Sequence, residues 1–170
     1  MIVDLSQLKD TQTDFDFSFP ANEIELETDA ARLKNTVRVK GKIIKQSVQT
    51  KVAGEIFADA ELDCSRCLQP IEKHLEIAFD SGFVTPEFYT QATEAELRAD
   101  DLEVSLFEGD KINLTELARE QILLDLPAQV FCGEDCKGLC QKCGANRNLI
   151  DCNCVEKEID PRWAKLKELK

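Results

Sequence analysis

The chain has few of the residues that usually build a catalytic site or a flexible linker. Its 170 residues include one histidine, 7 glycines and 5 prolines, with no low-complexity tract. The single histidine, His74, lies between Glu72 and Glu76 on what the alternation predicts to be an outward strand face. No nucleophile–base arrangement, phosphate-binding glycine loop or spaced carboxylate pair is recognisable. We therefore expect no enzymatic activity and no small-molecule substrate.

Long apolar runs are also lacking. No segment approaches the ~20 apolar residues that a membrane span needs. The first residues contain acids at Asp4, Asp10, Asp14 and Asp16 and lack the basic start of a secretory signal. We expect a cytoplasmic protein with no membrane partner. Because disulfides do not persist in a reducing compartment, its cysteines are expected to bind metal.

Cysteine is the residue that the chain has in excess, with eight. The pair Cys140 and Cys143, followed by Gly144, fits a zinc knuckle, because two sulfurs of C-x2-C reach one ion and the glycine can take a positive φ. Cys152 and Cys154 would complete a closed set of four thiolates. The pattern predicts structural metal, with zinc favoured and an iron–sulfur cluster as the competitor.

The other four cysteines are Cys64, Cys67, Cys132 and Cys136. Our interpretation is a second four-thiolate site, for two zinc ions per chain. In the alternative partition, one ion is held by a mixed set, for instance Cys64, Cys67, Cys140 and Cys143, and the remaining cysteines are small buried apolar residues. Residues 132–159 offer few large apolar side chains, so metal is expected to supply their folding energy.

The periodicity predicts an α+β fold, with an antiparallel β-meander or small barrel-like sheet covered by a helix. Alternating segments at 36–43, 52–62 and 71–79 read as strands, which places Cys64 and Cys67 at a hairpin tip. The sequence "NLTELAREQILLDLP" predicts a helix over 114–126 with Asn113 as its cap. We expect a main domain over 1–126, with a mobile acidic excursion at 87–110. Residues 127–170 would form a zinc-ribbon-like module and a C-terminal helix.

Charge is segregated along the chain. The net charge is −12, yet residues 32–51 contain seven lysines or arginines and no acid. The remainder has 14 basic and 33 acidic residues, a net charge of −19. Such a basic segment can face phosphate while the rest of the protein repels it.

Several stretches together resemble the YceD family, which is associated with accumulation of large-subunit (23S) ribosomal RNA. They are "LDCSRCLQPI", "INLTELAREQILLDLP", "CKGLCQKCGANRN" followed by "CNC", and "IDPRWAKLKEL". The resemblance implies a role in assembly or maturation of the large ribosomal subunit. It carries over to Arg66 of the hairpin motif, the cysteines, and Asp160 with Arg162 of the tail.

Two functions follow from this resemblance and the charge pattern. In the first, the protein contacts 23S rRNA of a large-subunit precursor particle through Arg38, Lys40, Lys42 and Lys45. The alternative interpretation of these cations is that a strand's solvent face is normally charged. In the second, the acidic remainder acts as a chaperone or holder of a basic ribosomal protein.

Overall fold

A computed structural model describes residues 1–8, 10–46, 49–84, 104–106 and 110–154. These residues form seven strands and one α-helix, with short 3-10 turns at Leu5–Gln7 and Ala21–Glu23. The strands are β1 (Ile2–Asp4), β2 (Gln12–Pro20), β3 (Ala31–Lys45), β4 (Thr50–Asp63), β5 (Pro70–Val84), β6 (Val104–Leu106) and β7 (Lys111–Asn113). The helix, α1, spans Leu114–Asp125. The predicted α+β class is therefore confirmed.

The main sheet has five strands in the order β2-β3-β4-β5-β6. Strands β2 to β5 form the predicted antiparallel meander, and in its register Val39 lies opposite Ile56, which lies opposite Ile77. These three side chains are buried. Alternating residues such as Arg38, Glu55 and Glu76 are exposed, because successive strand residues point to opposite faces.

The sheet differs from the expectation at its edges. Strand β6 pairs in parallel with β5, with Gly82 opposite Val104. It lies within the segment 87–110 that was expected to be mobile, most of which falls outside the described residues. Strands β2 and β6 are the two edges of this sheet, and their described residues do not pair with each other. The described sheet is therefore open and does not close into the predicted small barrel.

Helix α1 covers one face of the sheet and contacts β5 and β1. The side chain of Asn113 accepts hydrogen bonds from the backbone N–H groups of Thr115 and Glu116 at 3.2 and 3.3 Å, which confirms it as the cap. The residues at helical spacing that this face buries are Leu114, Leu117, Ala118 and Ile122. None of the helices in the described part of the chain combines the length and apolarity needed to cross a bilayer.

The first residues of the chain are hydrogen-bonded to the start of helix α1 and to the strand before it. Strand β1 pairs with β7 in a separate two-stranded sheet, with Val3 opposite Ile112. The N–H of Leu114 donates to the carbonyl of Met1 at 2.9 Å. Leu5, which follows β1, joins the core with an exposed fraction of 2%. The first residues of the chain therefore hold α1, and the helix leads the chain back toward the hairpin tip. The predicted C-terminal helix, with Asp160 and Arg162, lies outside the described residues.

Candidate metal centres

The first cysteine site lies at the tip of the β4–β5 hairpin. Cys64 and Cys67 occupy the turn, and Cys132 and Cys136 reach it from the segment after α1. All four sulfurs lie within 4.8 Å of one another, with Cys64 Sγ 3.8 Å from Cys136 Sγ and Cys67 Sγ 3.5 Å from Cys132 Sγ. Cys132 is exposed and the other three are buried. We call these four residues the first site.

Backbone contacts hold the two halves of the first site together. The N–H of Ser65 donates to the carbonyl of Val130 at 2.7 Å, and the N–H of Val130 donates to Ser65 Oγ at 3.0 Å. The guanidinium of Arg66 donates to the carbonyl of Cys136 at 3.1 Å and lies 4.4 Å from the ring centroid of Phe131. Arg66 therefore stabilises the returning segment from the hairpin side, a role that the sequence motif did not reveal.

The second site consists of Cys140, Cys143, Cys152 and Cys154, whose sulfurs also lie within 4.8 Å of one another. A short antiparallel bridge between Leu139 and Asn146 supports it, and the N–H of Arg147 donates to the carbonyl of Gly138 at 2.9 Å. None of its four cysteines is buried. The structure thus brings the eight thiols together in the two predicted sets, and not in the mixed set.

The two C-x2-C turns share one backbone geometry. The N–H of Leu68 donates to the carbonyl of Cys64 at 2.9 Å, and Gly144 donates to Cys140 in the same way at 2.8 Å. Both residues have positive φ, 59° at Leu68 and 73° at Gly144. Gly144 adopts the conformation expected of it. Leu68 adopts the same conformation at a steric cost of about 1–2 kcal/mol for a residue with a Cβ, which sequence reasoning missed.

Hydrogen bonds lower the pKa of Cys64 and Cys136 in the first site and of Cys140 in the second. Burial opposes ionisation of Cys64, but the backbone N–H groups of Arg66, Cys67 and Cys132 outweigh it and lower its pKa to about 6. The backbone N–H groups of Cys143 and Lys142 likewise lower the pKa of Cys140 to about 6. The first thiolate of each site is therefore available at neutral pH.

Another thiol in each site retains its proton. Contact with the sulfurs of Cys136 and Cys67 raises the pKa of Cys132 to about 12. Contact with Cys143 and Cys140 does the same for Cys154. This pattern arises because adjacent thiolates repel one another, and a divalent cation at the centre would remove that repulsion.

The donor set fits a four-coordinate metal. Tetrahedral zinc with Zn–S bonds of about 2.3 Å separates its sulfurs by roughly 3.8 Å, close to the distances in the first site. All eight cysteines are free thiols. With four protein ligands, each site would leave no open position for substrate. The arrangement is therefore suited to a structural ion rather than a catalytic one.

Two of the four cations that were predicted to bind phosphate, Arg38 and Lys40, are paired with carboxylates. Arg38 donates to both carboxylate oxygens of Asp16, at 3.0 and 2.6 Å, and Lys40 pairs with Glu55 at 2.8 Å. The Nζ of Lys45 donates to the carbonyl of Leu5 at 3.3 Å. Lys42 is exposed opposite Asp14 in the register of β2 and β3. The alternation in "TDFDFSF" indicates that Asp14 and Asp16 share one outward face, but their position opposite the cations of β3 depends on the strand register, which the alternation does not give.

His74 is an exposed residue on β5, as predicted. Its Nδ1 lies 2.7 Å from Asp59 Oδ1, and Asn35 Nδ2 donates to the other carboxylate oxygen of Asp59 at 3.2 Å. The hydrogen bond from His74 lowers the pKa of Asp59. The group is a cross-strand surface contact four register positions from the Asp63–Pro70 pair at the hairpin tip, and neither residue belongs to a cysteine site.

Comparison of the sequence with known proteins identifies relatives of this chain. Residues 52–170 match a family model described as "Large ribosomal RNA subunit accumulation protein YceD". The matched range includes most of β4, the whole of β5 and α1, and all eight cysteines. No solved structure matches the chain.

Individual relatives cover different shares of the chain. An uncharacterized protein of Bacillus subtilis, YlbN, is 31% identical over 170 residues, which is 99% of this chain and 94% of YlbN. An uncharacterized protein of Mycobacterium tuberculosis is 31% identical over 118 residues, or 69% of this chain and 54% of that protein. A chloroplastic protein of Arabidopsis thaliana named a large ribosomal RNA subunit accumulation protein YCED homolog is 33% identical over 63 residues, 37% of this chain and 20% of the relative.

Proposed function

Because this chain belongs to the YceD family, we propose that it is a non-enzymatic factor in large ribosomal subunit biogenesis that supports 23S rRNA accumulation or processing. The observation that supports this most is the family match, which extends over 52–170 and carries the name of that process. The four-thiolate geometry of the cysteine sites agrees with a non-enzymatic role, because it leaves no open metal position for a substrate. The place of action would be the cytoplasm, where a large-subunit precursor particle is assembled in bacteria.

Depletion and sedimentation test this function. Cells without the protein should contain less 23S rRNA and fewer complete large subunits, and the tagged protein should sediment with precursor particles. Crosslinking of the co-sedimenting fraction would identify the rRNA element. Normal 23S rRNA levels together with a protein that stays at the top of the gradient would contradict the proposal.

We further propose that each cysteine site holds one structural zinc ion. The support is the thiol-only donor set and sulfurs within 4.8 Å of one another in both groups. Native mass spectrometry with elemental analysis of a never-chelated, reduced preparation should count two zinc ions per chain. Iron with inorganic sulfide would indicate a cluster instead, and a preparation with neither metal would contradict the proposal.

The proposed RNA contact uses Arg38, Lys40, Lys42 and Lys45, whose charges lie on or beside the outward face of β3. Their carboxylate partners do not exclude phosphate. The side chains of Arg38 and Asp16 are both more than half exposed, and exposed ion pairs contribute little to stability because water and salt screen them. Hydrogen bonding to Arg38 lowers the pKa of Asp16, so this carboxylate stays charged at neutral pH and competes with phosphate.

Salt dependence tests this contact. Each phosphate contact should add ~0.7 to the slope of log K against log salt for single-stranded RNA. The variant with all four cations replaced by alanine should bind with a shallower slope. A triple alanine variant at Lys137, Lys142 and Arg147, in the cysteine module (residues 131–154), is the matched control. An unchanged slope in the quadruple variant would contradict the contact, and a loss in the control alone would move it to the module.

A second candidate function is that of an acidic holder of a basic ribosomal protein. The observation that favours it is the excess of 33 acidic over 21 basic residues, together with acids such as Asp16 and Glu55 beside the basic segment. Capture of the partner from lysate treated with nuclease distinguishes the two functions. A protein partner survives loss of the RNA, whereas an RNA-mediated association does not.

A further inference from the structure

The side chain of Asn148 connects the two cysteine sites. Its Nδ2 donates to Cys136 Sγ, a first-site sulfur, at 3.3 Å. Its Oδ1 accepts from the backbone N–H of Lys137 at 2.8 Å. Because a backbone N–H can only donate, this second contact fixes the orientation of the amide and directs the NH2 group to the sulfur.

Asn148 belongs to the loop that the second site closes. It lies between Cys143 and Cys152, and its neighbours Leu149 and Ile150 are 70% and 60% exposed. The loop is held by turn contacts to Asn146, including the bond from the Asn148 N–H to Asn146 Oδ1 at 2.9 Å. The bond from the Arg147 N–H to the Gly138 carbonyl also holds this loop, but burial adds little, so closure of the second site is expected to fix the position of Asn148.

The first site positions the second in return. Cys136 of the first site and Cys140 of the second are separated by three residues, Lys137, Gly138 and Leu139. Within this bridge, the N–H of Leu139 donates to the carbonyl of Arg66 at 2.9 Å. Gly138 is buried and lies against Arg66. A Cβ added to Gly138 would lie only 3.0 Å from the carbonyl oxygen of Arg66. The hairpin turn that holds the first site therefore also orients Cys140.

We propose that the two sites bind metal cooperatively, with Asn148 as the positioning residue through which occupancy of the second site stabilises the ligand set of the first. The inference rests on the proposed zinc occupancy. Hydrogen bonds to metal-bound thiolates strengthen a site, and loss of such an outer contact typically weakens metal affinity about 10–100-fold. By linkage, the first ion must favour the second to the same degree.

Zinc release from the full-length, reduced protein tests the coupling. The two-zinc form is mixed with excess chromophoric chelator, and native mass spectrometry resolves chains with zero, one and two ions over time. Asn148→Ala should speed release from the first site about tenfold. Cys143→Ser, which disables the second site, should have a similar effect, and the double variant should add little to either single one.

Two further variants separate the sulfur contact from general loop damage. Asn148→Asp retains an acceptor for the Lys137 N–H but has no donor for Cys136, so it should weaken the first site at least as much as Asn148→Ala. Gln141→Ala removes an exposed amide from the second site and should stay within about twofold of the natural protein.

Independent effects would overturn the coupling. If the protein binds two zinc ions and Asn148→Ala and Asn148→Asp release them at the natural rate, the sites are independent while the zinc proposal stands. Additive effects of Asn148→Ala and Cys143→Ser would also contradict it. A natural protein that binds no zinc would refute both, and the ion count distinguishes the two failures.

Discussion

The sheet and the cysteine module are stabilised in different ways within one chain. The sheet and α1 bury a continuous apolar core that includes Val37, Ile56 and Ile122, each with an exposed fraction of 0%. In residues 131–154, by contrast, only Cys136 and Gly138 are buried. A segment with so little buried surface cannot offset the entropy of its own ordering. The comparison indicates that the thiols of the module replace a core.

The same two regions differ in the partners of their cations. On the sheet, Arg38 and Lys40 are paired with Asp16 and Glu55, and Lys34 with Glu61. In the described part of the module, Lys137, Lys142 and Arg147 form no ion pair. A phosphate that binds the cations of the module would therefore displace no described carboxylate. A phosphate that binds Arg38 or Lys40 would have to displace Asp16 or Glu55. For this reason the RNA experiment includes variants of both regions.

Removal of zinc should have the largest effect, because it should unfold the cysteine module and leave the sheet folded. Structural zinc contributes on the order of 10 kcal/mol of apparent folding energy. Chelation should therefore abolish the hydrogen-exchange protection of residues 132–154 while β3, β4 and β5 keep theirs. Added zinc should restore it. Loss of protection in all regions together would show that the sheet also depends on metal, and retained protection in the module would show that its thiols are not what orders it.

A cavity in the sheet core should destabilise the sheet and leave the zinc content of the cysteine module unchanged. Ile56→Ala removes a fully buried side chain of β4 and should lower the free energy of unfolding by about 2–5 kcal/mol. Urea denaturation measures this change, and elemental analysis should still find the natural zinc content. Leu124→Ala is the control, because Leu124 on α1 is 79% exposed and its loss should change stability by less than about 0.5 kcal/mol. Zinc loss in proportion to the destabilisation would contradict the separation.

Sequence reasoning succeeded where a period or a spacing was strong. Alternation identified β3, β4 and β5, and the capping pattern identified α1 with Asn113. Spacing favoured the two groups of four cysteines that the structure brings together, but it left the mixed set open. It failed where the determinant is a contact between distant residues, as in the parallel pairing of β6 or the Arg38–Asp16 pair. Leu68 was missed because its positive φ is imposed by the turn and not by its own preference.

Replacement of Gly138, within the module, should have a smaller effect than the two changes above. Gly138→Ala places a Cβ 3.0 Å from the Arg66 carbonyl at a φ of 71°, and such strain costs about 1–3 kcal/mol. Because Gly138 lies between the two sites, zinc affinity should fall at both. Gly133→Ala is the control, since nothing lies within 4 Å of its added Cβ. Chelator competition measures both variants, and equal affinities would show that the bridge tolerates the side chain.

The pH dependence of zinc affinity should show the smallest effect, a change of slope. The pKa values of Cys64 and Cys140 are lowered to about 6, against an ordinary value of about 8.5. Above pH 6 these groups are already thiolates, so zinc displaces protons only from the remaining thiols of each site. Below pH 6 each site must release one proton more. Binding that releases protons weakens as pH falls, and the slope of log affinity against pH should therefore steepen by about one per site below pH 6.

Chelator competition between pH 5 and 8 measures this slope, with Cys143→Ser reporting the first site and Cys67→Ser the second. A slope that is constant through pH 6 in both variants would show that the backbone hydrogen bonds do not prepare these thiols before the metal arrives.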